Sequence, residues 1–358
     1  MAWTERYVRA DAAGGGDGTT DTNSGANGAW TIAEAITNAA AGMRINIKAG
    51  TYSSSTLHTF SAAGTTASPI WWRGFNSTIG DLDGVADSTN FPYFSFTSNG
   101  YFHASGANNW FENIRISSST ATANRGTLYI GAASQFFYNC KIVYTGSTSN
   151  CKAVVGTITA DNTRLVKCWL ECTDAGVDIL QIVNNGRMSC CFCYLKGGNN
   201  GANVIRPISL YGNIYDGQAG NCIIVNGDFA VPILQSTFYN CGGNAIHFVT
   251  GIADGTGSVI AGNIFHTVGG YGILSVDTNS GILADTNIYY NCTSGQISGL
   301  YQDEQYNAVS ASSSPLVDPG NGDFRPQGDA IGAGCGNRFL GFPDLVGYRS
   351  AGAIQLGV

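Results

Sequence analysis

Apolar residues in this chain come in runs of four to six, bounded by Gly and Asn. Ile179-Leu180-Gln181-Ile182-Val183, Cys222-Ile223-Ile224-Val225 and Gly272-Ile273-Leu274-Ser275-Val276 are three of them. They are rich in β-branched side chains and lack the i, i+3, i+4 spacing of an amphipathic helix, so they predict strands. Only one segment predicts a helix. Thr31 and Glu34 fit a capping box, Ile32 to Ala41 follow, and Gly42 ends them. Its apolar stripe is Trp30, Ala33, Ile36 and Ala40. The first regular strand comes next, with Ile45 and Ile47 alternating with Arg44, Asn46 and Lys48.

The strands repeat. Phe137-Tyr138-Asn139-Cys140 returns as Phe238-Tyr239-Asn240-Cys241 and as Tyr289-Tyr290-Asn291-Cys292, with cysteines 101 and 51 residues apart. Those intervals are close to four and two steps of about 25 residues. Phe265 and the pair Gly269-Gly270 fill a missing step, and weaker copies surround Trp110-Phe111-Glu112-Asn113, Val166-Lys167-Cys168 and Cys191-Phe192-Cys193. Short strands at that period, with Gly or Asn at the corners, describe an all-β coil of three strands per turn, a parallel β-helix of about ten rungs. Asn would take the left-handed corner and Cys would point inward. The expected organisation is a cap with its short helix over 1–43, the β-helix over 44–300, and an irregular tail over 301–358 folded back on the coils.

Composition narrows the function. Hydrophobic residues make up 44% of the chain and charged residues only 11%. The net charge of −7, and the absence of any Lys or Arg between Arg206 and Arg325, exclude a nucleic-acid binder. No segment has the apolar length of a membrane span. The N-terminus lacks an apolar signal region, which implies a mature form or export by another route such as lysis. The 11 cysteines, an odd number spaced like rungs, read mostly as small apolar fillers of an internal ladder. Zinc at Cys190-Cys191-x-Cys193 is disfavoured, because strand alternation splits those thiols between two faces.

Setting Ile179, Ile205, Ile223, Ile246 and Ile273 in register as inward residues makes Leu180, Arg206, Ile224, His247 and Leu274 an outward row, with Asp178 beside it. Asp178, Arg206 and His247 then form a candidate glycan site, or else are isolated surface polar residues. Leu180, Ile224 and Leu274 form an apolar stripe that either contacts another subunit or lies under the tail. Asp81-x-Asp83-Gly84-x-x-Asp87 offers hard oxygen ligands in a loop, the one candidate calcium site, against a plain solvated turn. No other cofactor is expected.

Two ends of the chain carry a resemblance. Tyr7-Val8, Asp21-Thr22-Asn23-Ser24-Gly25, the helix and Ile45-x-Ile47-x-Ala49-Gly50-Thr51-Tyr52 resemble the opening of right-handed parallel β-helix proteins of the pectate-lyase-like superfamily, in its phage or bacterial surface form. Ser314-Pro315-Leu316-Val317-Asp318, Gly322-Asp323-Phe324-Arg325, Ala330-Ile331-Gly332-Ala333-Gly334 and Gly352-Ala353-Ile354 resemble their C-terminal end. The resemblance implies a fold rather than one activity. The motifs of polygalacturonase-type members, Asn-Thr-Asp, Asp-Asp, Gly-His-Gly and Arg-Ile-Lys, are absent. The reading favoured is a non-catalytic structural or adhesive β-helix on a phage virion or another extracellular surface. Its partners would be other virion proteins, surface polysaccharide, or copies of itself as the homotrimer frequent among such rods. The alternative is a polysaccharide lyase or glycoside hydrolase on the same scaffold.

Overall fold

The structure, a computed structural model, describes residues 2–82, 90–119, 125–148, 151–157, 161–183, 187–227, 229–249, 257–276, 281–299 and 305–333. Among them the chain forms the right-handed parallel β-helix that the strand pattern predicts. Three long sheets of parallel strands run the length of the rod. Sheet A has 12 strands, sheet B 11 and sheet C 10. Each coil visits them in that order: Asn109–Glu112 in A, Arg115–Ser118 in B, Gly126–Ile130 in C, then Phe136–Tyr138 in A again. Coil length varies. The step in sheet C is 26 residues from Val154 to Leu180 (180 − 154) but 21 from Ala202 to Ile223 (223 − 202).

The capping helix spans Ile32–Asn38, with the Thr31–Glu34 box formed in both directions. It ends before the predicted Ala41 because Ala39 is already extended (φ −60°, ψ 137°). The helix packs on the first coils through Ile32, Ala35, Ile36 and Ala39, while Ala33 and Ala40 are exposed. Sheet A begins inside the 1–43 segment, since Thr4–Val8 pairs with Met43–Lys48.

The corner from sheet A to sheet B is one left-handed residue, repeated coil after coil. From the Asn109–Glu112 coil onward, Asn113, Asn139, Lys167, Phe192, Gln235, Thr286 and Asn307 have φ between 48° and 56° at this corner, and Gly212 and Gly262 take it at 64° and 66°. Asn suits this conformation, whereas Lys, Phe and Thr adopt it at a cost of about 1–2 kcal/mol each. Up to Thr286 the next residue points inward, and these residues stack into a ladder: Ile114, Cys140, Cys168, Cys193, Asn213, Ser236, Asn263 and Asn287, all buried; after the last corner, Asn307, Ala308 is exposed and the ladder ends. The cysteine half packs as small side chains with long thiol contacts of 3.4–3.5 Å to neighbouring backbone. In the polar half, each side chain satisfies the backbone of the coil before it. Asn213 Oδ1 accepts from the Cys193 amide (2.9 Å), Asn263 Oδ1 from the Ser236 amide (2.8 Å), and Asn287 Oδ1 from the Asn263 amide (3.0 Å).

The repeated phrase occupies two different corners. Asn139 turns from A to B, whereas Asn240 and Asn291 lie near the ends of the sheet B strands Thr237–Cys241 and Ile288–Cys292. All three are left-handed, with φ of 50–53°. The 101-residue interval therefore spans four turns plus one strand, and the 51-residue interval two turns. Most of the described cysteines are buried fillers as expected, and one pair is bonded: Cys222 and Cys241 form a disulfide between successive coils, with Cα atoms 6.2 Å apart. Rings stack inside the coil as well. Tyr215, Phe238, Phe265 and Tyr289 lie 4.8–5.0 Å apart and nearly parallel.

Gln305–Tyr306 and Val309–Ser310 add the last strands of sheets A and B, and the segment beyond them, to Ala333, lies on the outer side of sheet B. Leu316, Phe324 and Ala330 are buried against Trp169, Tyr194, Ile214, Ile264 and Ile288 on its outer side. His266 Nε2 and Ser314 Oγ share a hydrogen bond of 3.0 Å at the margin. Residues 334–358 lie outside the described residues.

Asn263→Ala leaves the Ser236 amide and the Ile233 carbonyl without their partners. It is expected to lower unfolding free energy by about 1–3 kcal/mol. Urea unfolding beside the exposed control Asn226→Ala, expected within about 0.5 kcal/mol of the parent, checks it. A second outcome concerns acid. Burial pushes His58, His103, His247 and His266 all below the ordinary imidazole value. Above about pH 6.5 these rings are neutral in both states. As pH falls through that value the unfolded chain takes up protons first, so stability drops until the folded rings titrate too. Melting temperatures measured stepwise downward from neutral pH should fall, and His266→Gln should flatten part of the slope.

Candidate functional site

The structure separates the three residues of the expected polar site. Sheet C aligns Val154, Leu180, Ala202, Ile223, Ile246 and Ile273. Leu180 is therefore inward and 0% exposed, which corrects its place in an outward stripe. Ile179 is buried too, at the corner just before the strand, so both residues of that pair looked equally fit for the core. Ile205 follows the strand Ala202–Val204, and Arg206 is exposed in the loop beyond it. The outward row is instead Gln181, Asn203, Ile224, His247, Leu274 and Ser298. His247 thus stands between half-buried Ile224 and Leu274, but far along the rod from Asp178.

Asp178 is only 8% exposed. Its carboxylate accepts from Asn200 Nδ2 (2.6 Å) and Asn203 Nδ2 (3.3 Å) and lies 3.8 Å from Lys152 Nζ. It heads an asparagine ladder at the corner from B to C. Asn200 Oδ1 accepts from the Asn221 amide, Asn221 Oδ1 from the Asn244 amide, and Asn244 Oδ1 from the Tyr271 amide, each at 2.8–2.9 Å. Asp178 thereby ties coils together. In the candidate calcium loop, Asp81 closes its own turn by accepting the amides of Asn76, Ser77 and Thr78 at 2.7–2.9 Å. Burial would raise its carboxyl, but these amides outweigh that and hold it at about 2. Asp83 and Asp87 lie outside the described residues.

The arrangement with the most chemistry is on the outer side of sheet A. Trp71, Trp110 and Phe136 fall in one register row on successive coils. Trp71 and Trp110 are 6.3 Å apart between ring centroids, Trp110 and Phe136 6.1 Å, and Trp3 closes the row 5.6 Å from Trp71. Trp110 is 37% exposed, unusual for an indole in a folded chain. The neighbouring row on the same face is polar: Asn46, Arg73, Glu112 and Tyr138. The guanidinium groups of Arg44 and Arg73 lie over Trp71 at 5.3 and 5.1 Å. Glu5 pairs with Arg44 and accepts from Asn46 Nδ2 at 2.8 Å. Burial pushes the Glu112 carboxyl up, against the opposing pull of Arg73.

A groove of about 380 Å³ runs beside this row, lined by Thr65, Asn108, Trp110, Ser134, Phe136 and Arg164 among others. A second, of about 210 Å³, continues it past Arg187 to Pro232, and the two share Asn162 and Arg164. Asn108, Ser134 and Asn162 are left-handed corner residues of successive coils, with φ of 54–57°. The groove thus offers one polar side chain per rung, about 4.8 Å apart. A line of rings beside a line of hydroxyl and amide groups suits a long ligand with apolar ring faces and many hydroxyls. Sequence reasoning missed this face, although both Ile70-Trp71-Trp72-Arg73 and Trp110-Phe111-Glu112 were visible as strands. The available signal was their shared alternation, which puts Trp71 and Trp110 outward on neighbouring rungs.

No family model matches the chain, and no curated protein matches it significantly. Solved structures do. Pectate lyase Pel9A is 15% identical and superposes with a TM-score of 0.57 over 92% of this chain and 87% of its own. A rhamnogalacturonan lyase is 12% identical, with a TM-score of 0.52 over 96% of this chain and 97% of its own. Tailspike protein 3 of bacteriophage CBA120 also matches, at 14% identity and a TM-score of 0.35 over 86% of this chain and 62% of its own. At these identities the likeness is one of fold: this chain is a parallel β-helix, the fold it shares with those two lyases.

Proposed function

We propose that this β-helix is a non-catalytic glycan-binding protein that holds an extended polysaccharide along the outer side of sheet A. The single observation that carries the reading is the row of Trp3, Trp71, Trp110 and Phe136 down the rod, beside a groove with a polar side chain on each rung. Rings in a row stack on the apolar faces of successive sugars, and the polar corners take their hydroxyls. The setting proposed is a virion or other extracellular surface. There the rod would serve as a structural or adhesive component, and cosedimentation with particles tests that placement. Self-association, as the expected homotrimer, would use Ile224 and Leu274 on sheet C. Ile224→Asp is expected to lower the native mass of the assembly while leaving the melting temperature unchanged.

One observation favours the second reading, a lyase or hydrolase on the same scaffold. Glu112 sits on the ring-bearing face with its carboxyl raised by burial, as a proton donor requires. Of the other carboxylates on the outer side of sheet A, Glu5 is engaged by Arg44 and Asn46, and Asp285, far along the same row as Glu112, accepts from Thr286 Oγ1 and Asn307 Nδ2 at 2.9 Å each. Binding without turnover is therefore the reading preferred.

Trp110→Ala is expected to weaken polysaccharide binding about tenfold while the melting temperature moves little, since the ring is partly exposed. Isothermal titration with the full chain checks it. Accumulation of reducing or unsaturated ends, abolished by Glu112→Gln, would replace the binding reading by the enzymatic one.

A further inference from the structure

The outer side of sheet A changes character half way along the rod. One register row reads Trp71, Trp110, Phe136, Arg164, Ser189 and Ser209. Rings thus give way at Arg164 to a guanidinium on the next rung. Arg164 is exposed and borders both grooves. Among the described residues no ion pair engages it. Arg187, one coil further on in the second groove, has a side chain 74% exposed and only a 3.9 Å contact with Asp161, which stands beside the groove. The residues lining the two grooves include both arginines and no carboxylate. In a chain of net charge −7 this groove is a local reversal of sign.

We propose that the ligand of this face is a polyanionic glycan. Neutral ring faces stack on Trp110 and Phe136, and the acidic group of the following sugar is bound by Arg164, with Arg187 taking the next. The inference rests on the glycan reading above and names the ligand class for it. A free guanidinium binds a carboxylate or a sulfate through two parallel N–H···O bonds. A neutral polymer would leave Arg164 and Arg187 facing only hydroxyls, while Asn108, Ser134 and Asn162 already supply polar contacts on the ring-bearing half. Carboxylate and sulfate share this chemistry, and the choice between them is read from the experiment.

The full chain is titrated calorimetrically with hydroxyethyl cellulose, carboxymethyl cellulose and cellulose sulfate, which share one extended backbone and differ in charge. At least one charged polymer is expected to bind about tenfold more tightly than the neutral one. Whichever gains names the acidic group. Arg164→Ala should remove most of that preference and Arg164→Lys should restore only part of it, because an ammonium lacks the planar fork. Trp110→Ala should weaken neutral and charged polymers alike. Arg115→Ala, which removes one positive charge from sheet B, should leave the preference intact. Equal binding of the neutral and charged polymers, or full preference in Arg164→Ala, overturns the inference and leaves the glycan reading standing. No binding of any of the three overturns both.

Discussion

Register between coils is the constraint on which everything else depends, and the left-handed corner between sheets A and B sets it. From Asn113 onward one left-handed residue turns the chain from sheet A to sheet B, so through nearly the whole rod the residue after it falls in the same inward place. That place is a ladder of cysteines and then of asparagines and serine, in which each polar side chain pairs with the backbone of the preceding coil. A buried amide without such a partner would cost more than the ladder gains, so the polar half works only when every member is present. The cysteine half makes a weaker version of the same contact, with Cys193 Sγ accepting from the Cys168 amide at 3.4 Å and the thiols of Cys140, Cys168 and Cys193 donating to the Phe111, Phe137 and Leu165 carbonyls at 3.5 Å.

The same register decides what the outside can do. Sheet B cannot face water with Ile214, Ile264 and Ile288, and the tail covers them. Sheet A is left open in the described residues, and there stacking places Trp71 above Trp110 and Trp110 above Phe136. A side chain repeated on neighbouring rungs becomes a line roughly 4.8 Å per step. A row of rings and a row of polar corners are then two readings of one geometry. The scaffold converts a one-residue repeat into an extended binding edge without any loop having to be shaped for it.

Charge divides that edge. The rings lie on the half nearer the N-terminal cap, and Arg164 and Arg187 lie beyond them. Asp178, Asp81 and Glu5 are each committed to neighbours, to coil-to-coil asparagines, to a turn, and to Arg44. Those three acidic groups are tied into structure, while in the groove Arg164 faces solvent and Arg187 has only a long contact with Asp161.

Short β-branched runs, the recurring Tyr-Asn-Cys and the Thr31–Glu34 box were enough to read three-strand coils, left-handed asparagines and a capping helix from the residues alone, because each is a local property of backbone and spacing. Asn139, Asn240 and Asn291 took the left-handed corner as their chemistry requires. Register was not readable. Alternation in a strand is degenerate by one residue, and coil steps that run from 20 residues (Met188 to Ile208) to 44 (His58 to Phe102) defeat counting. So Leu180 rather than Ile179 met Val154, and Ala202 rather than Ile205 came next. The disulfide between Cys222 and Cys241, the sheet on which the tail lands and the alignment of Trp71, Trp110 and Phe136 all depend on which residue of one coil lies over which residue of the next. That is fixed by the summed packing and hydrogen bonding of whole coils, so the residues determined the kind of rod, and only the tertiary structure decided which side chains share a face.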